Sequence, residues 1–159
     1  NGVNFSDARR VEDRMYDPFI MSQNEIKGKK VAVIGHFPYL ESLFEPICDL
    51  SIISWEPQEG DYPIPACEYI LPECDYVYIS SSTITDKTLP RMLELSQKAR
   101  RVTLVGPSTP LAPVLFDYGI SELSGFIIKD NALAFRITAG AENVKIYSAG
   151  QKVSFKRGD

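Results

Sequence analysis

Apolar residues along the chain fall into short continuous runs separated by polar, glycine-rich and proline-rich stretches, and their spacing alternates between strand-like and helix-like. Val31-Ala32-Val33-Ile34, closed by Gly35, is an uninterrupted apolar run of the kind found in a parallel strand covered on both faces. Pro38 then opens a helix carrying Leu40, Leu43, Phe44 and Ile47, with Glu41 at its positive end. Leu50 to Trp55 reads as a second strand, and the stretch after it, broken by Pro57, Gly60, Pro63 and Pro65, as loop. Cys67 to Leu71 forms a helical turn or two before Pro72, and Tyr76 to Ile79 is a third strand rich in β-formers. A polar cluster, Ser80 to Thr85, precedes an amphipathic helix with Leu89, Met92, Leu93, Ser96 and Ala99 on one face and Arg100 and Arg101 near its negative end. Val102 to Val105 is the fourth strand, Gly106 to Pro110 a loop, and Leu111 to Tyr118 a short helix starting near Pro113 and ended by Gly119. Gly125 to Ile128 is a fifth strand and Asn131 to Ile137 a short helix. Val144 to Tyr147 with Lys152 to Phe155 suggest a closing hairpin turned at Ala149-Gly150.

Strands that alternate with helices in this way pair in parallel through right-handed crossovers. The expected fold is therefore α/β: a Rossmann-like, doubly wound, mainly parallel sheet with helices on both faces and a C-terminal β-hairpin. A length of 159 residues with 44% hydrophobic content suits one core. Residues 28–159 make the Rossmann-like domain, and 1–27 read as a linker or helical segment left from an upstream domain. A net charge of −4 and a pI near 5.1 give no basic field for nucleic acid. No apolar run approaches the roughly 20 residues that cross a bilayer, and the polar start is no signal peptide, so the expected compartment is the cytoplasm. Cys48, Cys67 and Cys74 lack the paired spacing of a zinc knuckle or redox motif and read as free thiols in the interior.

In open parallel sheets, ligands bind where strand carboxyl ends meet helix amino ends. That geometry nominates Gly35, His36 and Phe37 after the first strand and Glu56 after the second. It nominates Ser81 and Thr83 after the third, Gly106, Ser108 and Thr109 after the fourth, and Lys129, Asp130 and Asn131 after the fifth. His36, the only histidine, suits a general acid or base, a metal ligand or a donor to an anion, and equally a turn residue satisfied by backbone. Asp130 is an acid/base candidate beside Lys129, or a helix cap. The serine hydroxyls suit a carboxylate or phosphate, or capping of the next helix. Gly35-His36-Phe37-Pro38 lacks the G-x-G-x-x-G fingerprint of dinucleotide binding, while Glu56 stands where a ribose-binding acid is often found. No local metal-ligand pattern is visible.

The strings VAVIGHFPYLESL (31–43), ILPECDYVY (70–78), TDKTL (85–89), VTLVGPSTPLAP (102–113) and IYSAGQKV (146–153) closely resemble the putative heavy-metal chelation family, a domain family of unknown function. The resemblance runs in order through nearly the whole chain. It implies a two-domain protein in which an enolase-amino-terminal-like domain precedes a Rossmann-like one, with a site at their junction. Of this protein the chain looks like the second domain. The resemblance favours His36 with Phe37 and Pro38, Gly106 with Pro107, Thr109 with Pro110, and Asp130 with Asn131. The function expected on this basis is binding of a small anionic or metal-chelating metabolite at a site shared with the second domain, with a role in heavy-metal chelation, and whether the domain also acts on that metabolite is left open. Two alternatives stand beside it: an enzyme using NAD(P) or S-adenosylmethionine, and a non-enzymatic metal- or chelate-binding accessory module. The cofactor is left undefined, as is self-association.

Overall fold

The computed structural model describes residues 17–37 and 39–158. Seven strands form one sheet in the order β3-β2-β1-β4-β5-β6-β7: β1 (Lys30–Ile34), β2 (Asp49–Ser54), β3 (Tyr62–Pro63), β4 (Tyr76–Ser80), β5 (Arg101–Val105), β6 (Glu122–Ile128) and β7 (Gly150–Lys156). The first six run parallel and β7 pairs antiparallel with β6. The strand order reverses between β1 and β4, at the point where a doubly wound sheet opens a crevice.

Two apolar layers flank the sheet. On one face Phe19 of α1 (Pro18–Ser22) and Leu40 and Phe44 of α2 (Leu40–Phe44) pack on Val31, Val33, Tyr76 and Tyr78. On the other, Cys67 of α3 (Cys67–Ile70), Leu89 and Met92 of α5 (Leu89–Leu95) and Phe116 pack on Ala32, Ile34, Val77, Ile79 and Leu104. Even and odd positions of each strand thus serve opposite layers, which is why the strands read as continuous apolar runs rather than alternating ones. The helices lie on both faces, as expected.

Segment 17–26 contributes Phe19 and Ile26 to the first layer. Asp17 caps α1 by accepting from the Phe19 amide at 3.1 Å, and its Oδ2 accepts from Tyr39 Oη at 3.1 Å and Lys152 Nζ at 2.8 Å. Farther along, Ser22 Oγ receives the Tyr78 hydroxyl at 2.5 Å. Polar groups therefore pin α1 to the entrance of α2, to β4 and to β7.

Several local expectations change. Residues 144–147 form no strand: Ile146–Ala149 is a 3-10 turn, and β7 pairs with β6 across the whole connection holding α6 (Asn131–Thr138), so no hairpin turns at Ala149-Gly150. The loop after β2 contains the two-residue β3, which pairs Tyr62 with Ile53. Ser82–Thr85 is a short helix, α4, inside the polar cluster read as loop. The α5 helix ends at Leu95, and Arg101 begins β5, where it pairs with Glu25 at 2.8 Å and lies 3.8 Å from Glu122, instead of sitting at a helix end. β6 starts at Glu122, three residues ahead of Gly125. Pro38 lies outside the described residues.

Candidate functional site

β1 ends at Ile34, and Gly35 turns the chain while its amide donates to Ile53 O at 2.8 Å, tying the ends of β1 and β2 together. His36 follows, half-buried, and its Nδ1 lies 3.0 Å from Oδ2 of Asp61. Asp61 reaches this place because β3 locks Tyr62 beside Ile53 and a turn closes Gln58 onto Asp61. In that turn the Asp61 amide donates to Gln58 O at 3.0 Å, and the Gln58 amide donates to Asp61 Oδ2 at 3.0 Å. Glu41, in the first turn of α2, completes the cluster: one ligand atom each from His36, Glu41 and Asp61 lies within 4.8 Å of the others.

The Asp61 side chain is 1% exposed, and His36 is its only ion-pairing partner among the described residues. Both of its hydrogen bonds fall on Oδ2, so among the described residues Oδ1 accepts none. A carboxylate withdrawn from water without a compensating cation costs several kcal/mol, which makes this a place that favours a positive charge.

Beside the cluster, at the switch between β1 and β4, a cleft of about 230 Å³ is lined by Gly35, Ser54, Trp55, Glu56, Ser82 and Thr83 among others. Trp55 is 62% exposed, and its indole N–H donates to Asp86 Oδ2 at 3.1 Å, bridging the end of β2 to the end of α4. The lining includes Glu56 and Asp86 and no lysine or arginine.

The residues nominated from sequence divide into three groups. Gly35, Glu56 and Thr83 line the cleft, and His36 stands next to Gly35. Thr83 is 2% exposed and its hydroxyl donates to Ser80 O at 2.7 Å, so it fixes the turn into α4. Phe37 turns toward the core, its ring packed at a tilt of 60° against Phe19 with 5.1 Å between centroids. A second group gathers one strand farther along. Ser81 and Ser108 share a hydrogen bond of 2.9 Å, a Cβ on Gly106 would lie 2.5 Å from Ser81 Oγ, and the buried Thr109 hydroxyl has no hydrogen-bond partner among the described residues. The third group is held apart. β4 and β5 lie between β1 and β6, and β6 continues from Ser124, level with Val105, to Ile128. At about 3.3 Å per residue this carries Lys129, Asp130 and Asn131 roughly 13 Å past the Gly106 end. Asp130 caps α6, accepting from the Leu133 amide at 2.8 Å, while Lys129 and Asn131 are exposed. Neither the cluster around His36 nor the cleft beside it includes Gly106 or Asp130.

Glu41 and Asp61 were not among the sequence candidates. Glu41 was legible only as a favourable charge at a helix end, and Asp61 lay in a proline-broken stretch with no spacing relation to His36, 25 residues away.

The three cysteines take no part in the cluster. Cys67 and Cys74 are 2% and 6% exposed in the core, and Cys48 and Cys74 donate their thiols to Phe44 O and Ile70 O, each at 3.3 Å. Burial pushes all three thiols up to about 11. At pH 8 a disulfide reagent is therefore expected to label Cys67 and Cys74 at least 100-fold more slowly in the native protein than in denaturant, because little thiolate forms and access is closed. Rapid labelling of both in native buffer would contradict their placement. The sign for stability follows: the folded state holds these protons more tightly, so this contribution is full below the ordinary thiol range, near 8.5, and is lost as pH rises toward 11.

Among solved structures, a protein of unknown function from Desulfitobacterium hafniense is 76% identical and superposes with a TM-score of 0.87, covering 88% of this chain and 57% of its own. A Pyrococcus horikoshii protein of unknown function shares the fold at 21% identity, with a TM-score of 0.78 over 97% of this chain and 62% of its own. An uncharacterized protein of Methanocaldococcus jannaschii is 33% identical over 89 residues, which are 55% of this chain and 34% of that protein. The chain thus spans between about a third and three fifths of the length of these relatives. No helix among the described residues is long and apolar enough to cross a membrane. The family model described as "Putative heavy-metal chelation" matches residues 17–157, and on that match the chain belongs to this family, DUF364.

Proposed function

We propose that this domain binds a divalent metal ion through His36, Asp61 and Glu41 and offers the ion's open positions to a small chelating ligand in the adjacent cleft. The observation that carries this reading is the buried Asp61 carboxylate, whose hydrogen bonds from described residues both fall on Oδ2 and whose only ion-pairing partner among the described residues is a histidine. Metal–ligand bonds of about 2.0–2.2 Å set neighbouring ligand atoms roughly 3 to 4 Å apart, so a cluster within 4.8 Å closes on an ion by a small rotation of the Glu41 side chain. Three protein ligands leave at least one position for a substrate or ligand. Because the cleft carries Glu56 and Asp86 without a basic residue, a small anion enters it as a metal chelate rather than alone. The same reading has a second domain facing this edge of the sheet and supplying the remaining wall of the site.

Calorimetric titration of the metal-free protein with Zn²⁺ and with Mn²⁺ tests the reading. One ion per chain is expected, with His36→Ala weakening binding by 10-fold or more. Equal affinity in the two proteins, or no binding by the wild type, would remove it. The 3.0 Å contact between His36 Nδ1 and Asp61 also fits an acid–base pair that leaves Nε2 free toward substrate, and a flat titration would favour that alternative.

A further inference from the structure

We infer that the site takes borderline first-row divalent ions held through nitrogen and oxygen, and not the thiophilic heavy ions that the family description suggests; this rests on the metal-site reading above. The donor set is one imidazole and two carboxylates. Such ligands suit zinc, manganese, iron, cobalt or nickel, whereas soft ions such as cadmium and mercury are selected by thiolate sulfur.

The three cysteines of the sequence all lie within the described residues, and none of them belongs to the cluster of His36, Glu41 and Asp61. Cys48 immediately precedes Asp49, which pairs with Lys30, and Cys74 immediately precedes Asp75, whose amide donates to Lys30 O at 2.9 Å. Both therefore sit at the amino ends of strands, across the length of β1 from His36. Cys67 is in the opposite apolar layer from Phe37, one of the buried residues of the core that also holds Leu71 and Met92. The group of His36, Glu41 and Asp61 is the one cluster of potential ligands among the described residues, and it includes no cysteine. Soft-ion binding at this site would require thiols to leave the core, breaking the Cys48 and Cys74 contacts with Phe44 O and Ile70 O.

The experiment is loading the metal-free protein with Co²⁺ and reading its absorption spectrum, followed by competition with Cd²⁺, in the wild type and His36→Ala. The expected result is visible d–d bands with no thiolate-to-cobalt charge-transfer band, loss of the d–d bands in His36→Ala, and Cd²⁺ binding no tighter than Co²⁺. A charge-transfer band, or Cd²⁺ bound more than tenfold tighter and retained by His36→Ala, would overturn the donor assignment while leaving a metal-binding protein. No Co²⁺ uptake by the wild type would overturn the metal site itself, and the ion class with it.

Discussion

Asp61→Asn is expected to fold as well as the wild type, or better, and to lose the stabilisation that metal confers. The asparagine amide oxygen can still accept from the Gln58 amide and from His36 Nδ1, so the turn that carries it survives. What disappears is a charge on a side chain that is 1% exposed, and with it the cost of keeping that charge from water. In the wild type, an ion at 100 times its dissociation constant stabilises by about 2.7 kcal/mol, or roughly 5 to 10 °C in melting temperature for a domain of this size. The variant should show almost none of that shift at the same concentration, with a metal-free melting temperature equal to or above that of the wild type. Thermal melts with and without Zn²⁺ check both halves. A full metal shift in Asp61→Asn would show that the carboxylate is not a ligand. A large drop in metal-free stability would show that its charge supports the fold instead of straining it.

The sheet was legible because its signals are local. A continuous apolar run such as Val31 to Ile34 admits few readings, and the 3-10 segment Pro113–Tyr118 carries its own boundaries, proline at its first position and Gly119 in the left-handed conformation at its end. The position of His36 just past β1 followed from the same logic. The site around it did not. Its partner Asp61 is placed by a two-residue strand that contains Pro63, a pattern too short and too irregular for any periodicity to reveal. The available hint was a turn with an acid directly before Tyr62-Pro63, meaningful only once β3 is known to lie beside β2.

Other misreadings have similar causes. Arg100 and Arg101 look like cations completing a helix, yet Arg101 belongs to the apolar run that follows it and is held by Glu25. Asp130 had two readings, and the 2.8 Å bond from the Leu133 amide shows that it does cap α6. Strand-end position is shared by every candidate, but the strands reach unequally, with β6 running past β5.

Gly150 shows how a correct residue can carry the wrong explanation, and its replacement is expected to be the most damaging single change to the fold. Glycine beside Ala149 suggests a hairpin turn, but the backbone there is extended, with φ −171° and ψ −151°, and the residue pairs with Ile128 at the start of β7. Glycine is needed for lack of space. A Cβ at this position would overlap the carbonyl oxygen of Ile127 and stand 2.6 Å from Phe126 Cζ and 2.9 Å from the Ile127 carbonyl carbon. Two of these three are backbone atoms of a paired strand, so no side-chain rotation relieves them. Gly150→Ala must lift the start of β7 from β6 and loosen the two 2.9 Å bonds from the Lys129 and Asp130 amides to Ala149 O. Overpacking of this kind costs about 3 kcal/mol or more, a fall of roughly 10 °C in melting temperature. The exposed neighbour Ser148→Ala should stay within about 0.5 kcal/mol of the wild type. Because no residue of β6 or β7 belongs to the cluster of His36, Glu41 and Asp61, Zn²⁺ affinity measured well below the melting point should change by less than twofold. A melting temperature lowered by less than 2 °C would mean that β7 does not pack against β6 in this register. A loss of zinc affinity without loss of stability would mean that the metal site extends to the far edge of the sheet.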